Sequence, residues 1–391
     1  MFSKETIQKF QNTSTPFYYY DIELLRKTLE ALKKESDKYG YVVHYAMKAN
    51  ANDEILRVIK SFGLGADCVS GNEIKKASEH EFEHIFFAGV GKSDEEINTA
   101  LDRNITCFNC ESLQEIEVID ELAKKKNKIA QIAFRINPNV NAHTHKYITT
   151  GLEENKFGIN LWELEDVVMR TQQLKNIKIV GIHFHIGSQI TDLSAFKSLC
   201  MKVNEIQNWF ASHNVPLEII NVGGGLGVDY HEPNKNPIPD FESFFKLFKD
   251  FLEIRPNQKV HFEIGRAIVA QCGSLISKVL YVKKGVSTSF VILDAGMTEL
   301  IRPALYQSYH KIENLTPSPL PRERGDSQQA GGVRYDVVGP ICESSDCFGK
   351  AMMLPETKRG DLVAIRTTGA YGEVMASQYN LREKVKAVYS E

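Results

Sequence analysis

Tyr41-Val-Val-His-Tyr-Ala46-Met-Lys48-Ala-Asn50, followed at once by Asp53–Phe62, is the stretch on which the fold turns. Tyr41–Ala46 reads as a strand without the clean alternation of a sheet that has one wet face. Asp53–Phe62 then carries apolar residues at helical spacing. The same unit recurs along the chain. Further strands are predicted at Leu64–Val69, His84–Ala88, Asn104–Phe108, Ile129–Ile136, Lys178–His185, Leu217–Val222 and Lys259–Glu263, each bounded by Gly, Asn or Asp. Helical spacing appears at Ser93–Leu101, Glu111–Lys125, Leu161–Leu174, Leu193–Trp209 and Phe241–Phe251, with Ser93-Asp-Glu-Glu96 as a capping box. Eight strands alternating with helices over about 220 residues match a (β/α)8 barrel, whereas a doubly wound sheet usually needs fewer strands.

After Glu263 the texture changes. Ser274–Tyr281, Phe290–Leu293, Tyr335–Val338 and Leu362–Thr367 are short strand-like segments separated by turns, which reads as an all-β domain. Thr15–Tyr20 is also strand-like and a candidate to join it. The expected division is a barrel at 21–263 and a β domain made of 1–20 plus 264–391. Prolines and glycines crowd Leu315–Gly332, so an exposed, flexible loop without catalytic duty is expected there.

The composition excludes several classes. With 391 residues, 42% hydrophobic and 25% charged, the chain is ordinary globular material, not a disordered or collagen-like one. A net charge of -3 offers no global attraction to nucleic acid or to an anionic membrane. No apolar run approaches the roughly 18 residues of a membrane span, and Met1–Lys9 lacks the apolar core of a signal peptide. Seven scattered cysteines read as reduced, cytoplasmic thiols. Cys107-Phe-Asn-Cys110 is a CxxC that no second CxxC or His pair completes into a zinc site, so a structural thiol pair is the plainer reading.

Barrel chemistry belongs at the carboxyl ends of the strands. Lys48 falls there. Desolvation would drive its amine towards the neutral form that makes a Schiff base, and the other reading is a lysine snorkelling at the rim. His183-Phe-His185-Ile-Gly187-Ser188 ends the sixth strand, with two histidines on one face. One is a candidate platform beside a ring, with metal ligation and plain packing still open. Asn221-Val-Gly223-Gly-Gly225-Leu-Gly227 lets backbone N–H groups converge on an anion and is not a nucleotide P-loop. In Glu263-Ile-Gly265-Arg266 the glycine permits close backbone approach, and the carboxylate suits a protonated heterocyclic nitrogen; an interdomain salt bridge is the alternative for Glu263. An imine-forming amine, a stacking ring, a phosphate cradle and a ring-facing carboxylate are together the needs of pyridoxal phosphate.

At this point a resemblance becomes specific. Phe17-Tyr-Tyr-Tyr-Asp21, Arg135-Ile-Asn-Pro138, His143-Thr-His-Lys146, Gly151-Leu, Asn155-Lys-Phe-Gly158 and Val338-Gly-Pro-Ile-Cys342-Glu343-Ser-Ser-Asp346 resemble the diaminopimelate decarboxylases, in the alanine-racemase-like (fold type III) group of pyridoxal phosphate enzymes. The resemblance runs on to Tyr371, over nearly the whole chain. It implies conversion of meso-2,6-diaminopimelate to L-lysine and carbon dioxide through a pyridoxal phosphate aldimine, the last step of lysine biosynthesis. It also implies Lys48 as the Schiff-base lysine, His185 against the ring face, Gly225, Gly265 and Arg266 at the phosphate, and Glu263 at the ring nitrogen. Arg266, Arg302 and Tyr306 are expected to hold substrate, Glu343 its distal amino group, Tyr371 both cofactor and substrate, and Cys342 to donate the proton. A homodimer with shared sites is implied, the Cys342-Glu343 loop coming from the partner subunit. The family's Glu-Pro-Gly-Arg is Glu263-Ile-Gly-Arg266 here, and the loop at 315–332 is longer than expected. Decarboxylases of ornithine, arginine or carboxynorspermidine, and a non-catalytic homologue, are the competing readings. Retention of Lys48 and Cys342 argues against the homologue.

Overall fold

The computed structural model describes residues 2–140, 156–316 and 332–390. His143–Lys146, Gly151, Asn155 and the body of the predicted Pro-rich loop, 317–331, lie outside the described residues. The chain divides into two compact units: Arg26–Val228 with Ile238–Ile268, and Met1–Leu25 with Asp229–Pro237 and Val269–Glu391.

Strand β1 (Phe17–Tyr20) belongs to the second unit. The first unit holds β2 (Val42–Ala46), β3 (Gly65–Cys68), β4 (Ile85–Phe87), β5 (Cys107–Cys110), β6 (Ala130–Arg135), β7 (Ile177–His183), β8 (Ile219–Asn221) and β9 (Lys259–Ile264). These close into a barrel in chain order, parallel throughout, with β9 pairing back to β2. Inside it, Phe86, Cys107, Ala133 and Val180 form an apolar plug. Above the plug the strand ends are polar, with Asp67, Asn109, Arg135, His183, Asn221 and Glu263 all buried.

Local chemistry sets the element ends. Ser93 and Glu96 make the capping box of helix Asp94–Asp102. Phe241–Phe251 forms over its predicted span. Asn104, predicted to open a strand, instead adopts a left-handed conformation (φ 51) just past that first helix, while Ile105 N–H bonds Ala100 O at 3.3 Å. This is a Schellman-type stop, so β5 starts later and carries Asn109 in its buried run. Ser112 caps helix Leu113–Lys125, which leaves Glu111 outside the helix in which it was predicted.

The second unit adds β10 (Gly273–Lys284), β11 (Ser289–Leu293), β12 (Ile312–Asn314), β13 (Val333–Val338), β14 (Cys347–Leu354), β15 (Leu362–Arg366) and β16 (Lys386–Tyr389). The sheet runs β12-β15-β10-β11-β13-β14, and β1 lies between β10 and β16. The N-terminal strand therefore joins the β domain. Phe10, Phe17, Tyr19, Ile276, Leu362 and Ala364 pack its core. Asp229–Pro237 falls in this unit, where His231 stacks on Tyr309 at 4.3 Å and Tyr230 meets His310 edge-on at 5.1 Å. Leu315 and Thr316, the start of the expected loop, follow β12 and are tied to β15: Leu315 N–H bonds Leu362 O, and Thr316 Oγ1 accepts from Leu362 N–H, both at 2.8 Å.

Candidate active site

Lys48 sits in a single 3-10 turn, Met47–Ala49, directly after β2. Its Nζ is 3.3 Å from Asp67 Oδ2 on the adjacent strand, β3. Lys48 is partly exposed and Asp67 is fully buried. Burial first, and then the charge of Glu263, push the Asp67 carboxyl up to about 7 against the opposing pull of Lys48.

This shift has a measurable consequence. Between the ordinary 3.8 and about 7 the folded chain keeps a proton on Asp67 that the unfolded chain has released. The contribution of Asp67 to the stability of the cofactor-free protein therefore falls as pH rises through that window, by at most about 1.4 kcal/mol per pH unit, while the lowered His185 contributes in the opposite sense. Asp67→Asn is expected to remove this slope and to exceed the wild type in stability above neutral pH. Urea midpoints across the window test it, and an unchanged slope would clear Asp67 of the effect.

Glu263, at the end of β9, is buried in the barrel axis. Asn109 Nδ2 and Asn221 Nδ2 donate to its Oε1 at 3.1 and 2.8 Å, and His183 Nε2 donates to Oε2 at 3.0 Å. Burial would raise this carboxyl, yet the charge and hydrogen bond of His183, with Lys48 and His185, hold it well below the ordinary carboxylate range. His185 is half-buried, and Gly224 N–H points at its Nδ1 over 3.4 Å. Burial, with Lys48 and Arg135 nearby, lowers His185 to about 3, so the ring is flat and neutral.

The glycine run crosses this site closely. A Cβ on Gly224 would collide with the carbonyl oxygen of Glu263, and Gly225 takes a φ of +112° that side chains avoid. Gly265 lies against Ala46 and Ala49, either side of Lys48. Arg266 is buried, with Nη2 3.0 Å from Ser188 Oγ. Arg135 pairs with Glu111 at 2.7 Å, and Glu111 also accepts from Gly158 N–H at 3.0 Å.

The barrel thus gathers six of the predicted residues: Lys48, His185, Gly225, Glu263, Gly265 and Arg266. The other five stand in the β unit. Arg302 opens helix Arg302–Tyr306, is buried, and places its guanidinium 5.5 Å from the Tyr230 ring; Tyr306 closes the same helix. Tyr371 is half-buried with a left-handed φ of 56°. Cys342 and Glu343 are exposed on a turn pinned by Asp346, whose carboxylate accepts from Ile341 N–H at 2.7 Å and Met297 N–H at 2.6 Å. Glu343 accepts from Tyr379 Oη at 2.8 Å, a bond that pushes the phenol's pKa up. Cys107 and Cys110 are free and buried in β5. Sequence reading missed Asp67, Asn109 and Glu111. The available signal was a polar or charged residue at, or just past, the carboxyl end of an apolar strand.

A barrel whose strand ends bring a lysine, a neutral imidazole, a glycine cradle and a buried carboxylate anion together is built for an aldehyde-bearing, phosphorylated pyridine. Residues 23–270 match the family model "Pyridoxal-dependent decarboxylase, pyridoxal binding domain". The chain belongs to the pyridoxal-dependent decarboxylases and, within them, to the diaminopimelate decarboxylase family. It is 57% identical over 388 residues to diaminopimelate decarboxylase of Bacteroides thetaiotaomicron, covering 98% of each chain. It is 40% identical over 390 residues to that of Helicobacter pylori strain J99, covering 98% of this chain and 92% of the relative. A crystal structure of diaminopimelate decarboxylase from Helicobacter pylori complexed with L-lysine superposes with a TM-score of 0.90 at 39% identity, over 99% of this chain and 94% of that one.

Proposed function

We propose that the chain removes one carboxylate from meso-2,6-diaminopimelate to give L-lysine and carbon dioxide, as a cytoplasmic homodimer with shared sites. When bound, pyridoxal phosphate supplies an aldehyde that condenses with an amine and a ring that takes up the electron pair left by the departing carboxylate. The observation that carries this reading is Glu263. A buried carboxylate held as an anion by Asn109, Asn221 and His183 is the partner a protonated ring nitrogen needs.

The chain's own residues then divide the work. Lys48 provides the amine, beside an Asp67 able to hold or release a proton near neutral pH. His185, flat and uncharged, backs the ring without competing with Glu263 for its charge. Backbone N–H groups at Gly225 and Gly265–Arg266 receive the phosphate. Arg266 and Arg302 offer planar forks to carboxylates, with Tyr306 on the same helix as Arg302. Glu343 meets the distal ammonium, Tyr371 reaches cofactor and substrate, and Cys342 Sγ delivers a proton to the carbon that lost its carboxylate. Exposure of Cys342 and Glu343 in the single chain supports their service to the partner subunit's site. Seven free cysteines support a reducing compartment.

The test supplies purified protein with pyridoxal phosphate and meso-diaminopimelate, and scores carbon dioxide and L-lysine. Equal amounts of both are expected. Ornithine and arginine, which leave the distal partners unpaired, should be slower by on the order of ten-thousandfold. Cofactor bound without lysine formed would overturn the assignment.

A further inference from the structure

Glu263 is more fully engaged than a ring-facing carboxylate requires. A carboxylate has about four lone-pair sites. Asn109 and Asn221 fill two of them on Oε1, and His183 fills one on Oε2. One acceptor site is left, on Oε2.

Each amide presents its nitrogen to the acid. Asn221 Oδ1 accepts from Gly223 N–H at 3.0 Å, which turns its Nδ2 towards Glu263. Asn109 Oδ1 is buried without a hydrogen-bond partner among the described residues, so Glu263 sets this amide's orientation at the expense of its own oxygen. The main chain of Asn109 is clamped in turn. Lys92, only 1% exposed, donates to Asn109 O at 2.9 Å, Gly89 O at 2.8 Å and Glu115 Oε1 at 2.5 Å. It ties the carboxyl ends of β4 and β5 together. Of the other charged groups near Glu263, Lys48 favours its anion and Asp67 opposes it.

We infer that Asn109 and Asn221 are positioning residues that aim the one open lone pair of Glu263 at the cofactor's ring nitrogen, and that Lys92 acts through Asn109 by fixing its strand end. The inference rests on the reading of Glu263 given above. Two amides suit this task because they donate without adding charge, whereas an acid at either position would repel Glu263.

The test measures affinity of cofactor-free protein for pyridoxal phosphate and for its carbon analogue, in which the ring nitrogen is replaced by C–H. The wild type should prefer the nitrogen ring. Asn109→Leu should lose about tenfold to a hundredfold of that preference, the worth of one charge-assisted hydrogen bond, with affinity for the carbon analogue unchanged. In a Glu263→Gln background Asn109→Leu should have no further effect on the preference. Lys92→Met should reproduce the loss and Lys92→Arg should largely restore it, which keeps the question open to decision if Asn109→Leu does not fold. Equal weakening of both ligands, or a full effect without Glu263, would overturn the inference alone. No preference in the wild type would overturn the role of Glu263 and this inference together.

Discussion

Lys48→Ala is expected to erase the visible absorbance of the lysine-bound cofactor and to cut decarboxylation by roughly 10⁴–10⁶-fold, the scale seen when a nucleophile that acts as part of a unit is removed. The fold should survive. Lys48 is 37% exposed and lies in a three-residue turn, so its truncation opens no core cavity. Its partner Asp67 is the residue at risk, because an unpaired buried carboxylate is costly. That cost is avoided by protonation: Asp67 already titrates near 7, and loss of Lys48 removes a charge that holds it down. The variant should therefore match the wild type's circular dichroism and melt normally at neutral pH or below. Lys48→Arg separates charge from nucleophilicity. It keeps the cation beside Asp67 but cannot act as an amine nucleophile, so it should be as inactive as the alanine variant. Turnover in either variant, or an unchanged absorbance band, would remove Lys48 from its role.

How far this site was legible differs from residue to residue. The eight strands were readable because both of their faces are buried, which leaves an apolar texture that a half-wet strand lacks. Lys48, His185, Glu263 and the glycines stand out because each is costly where it sits: a charge, or a run without side chains, at the end of an apolar strand. Asp67 obeyed the same rule within Gly65–Cys68 and was overlooked among its neighbours. Asn109 was hidden by Cys107 and Cys110, whose spacing drew attention to sulfur when the amide between them does the positioning. Its partner Glu263 lies 154 positions away, a separation that strand periodicity cannot bridge. Asp229–Pro237 was assigned to the barrel by chain order alone. Its place in the β unit depends on aromatic contacts with Tyr309 and His310, between side chains far apart in sequence. Met1–Lys9 was read only for its lack of a signal peptide's apolar core, yet helix Lys4–Gln11 begins there and its Phe10 is fully buried in the β-unit core.

Mixing two inactive variants should produce an active enzyme. In the proposed homodimer, each centre would take Lys48 from one subunit and Cys342 from the other. Lys48→Ala homodimers lack the amine in both centres. Cys342→Ala homodimers bind cofactor normally but lack the proton donor, a loss worth about 10²–10⁴-fold in rate. A heterodimer of the two carries both defects in one centre and neither in the other. Random exchange of equal amounts makes about half of the dimers mixed, each with one intact centre of two, so activity should recover to about a quarter of the wild type. The residues such a dimer would share lie on the surface of the β unit. Cys342 and Glu343 are exposed, and so are Leu305, Tyr309, Val374, Tyr379 and Leu381 in the same unit. The experiment unfolds and refolds the two variants together, then compares lysine formation with that of each refolded alone. Activity no greater than the sum of the separate proteins would place Cys342 in the same subunit's site as Lys48. Wild-type rates in Cys342→Ala alone would take the thiol out of the reaction altogether.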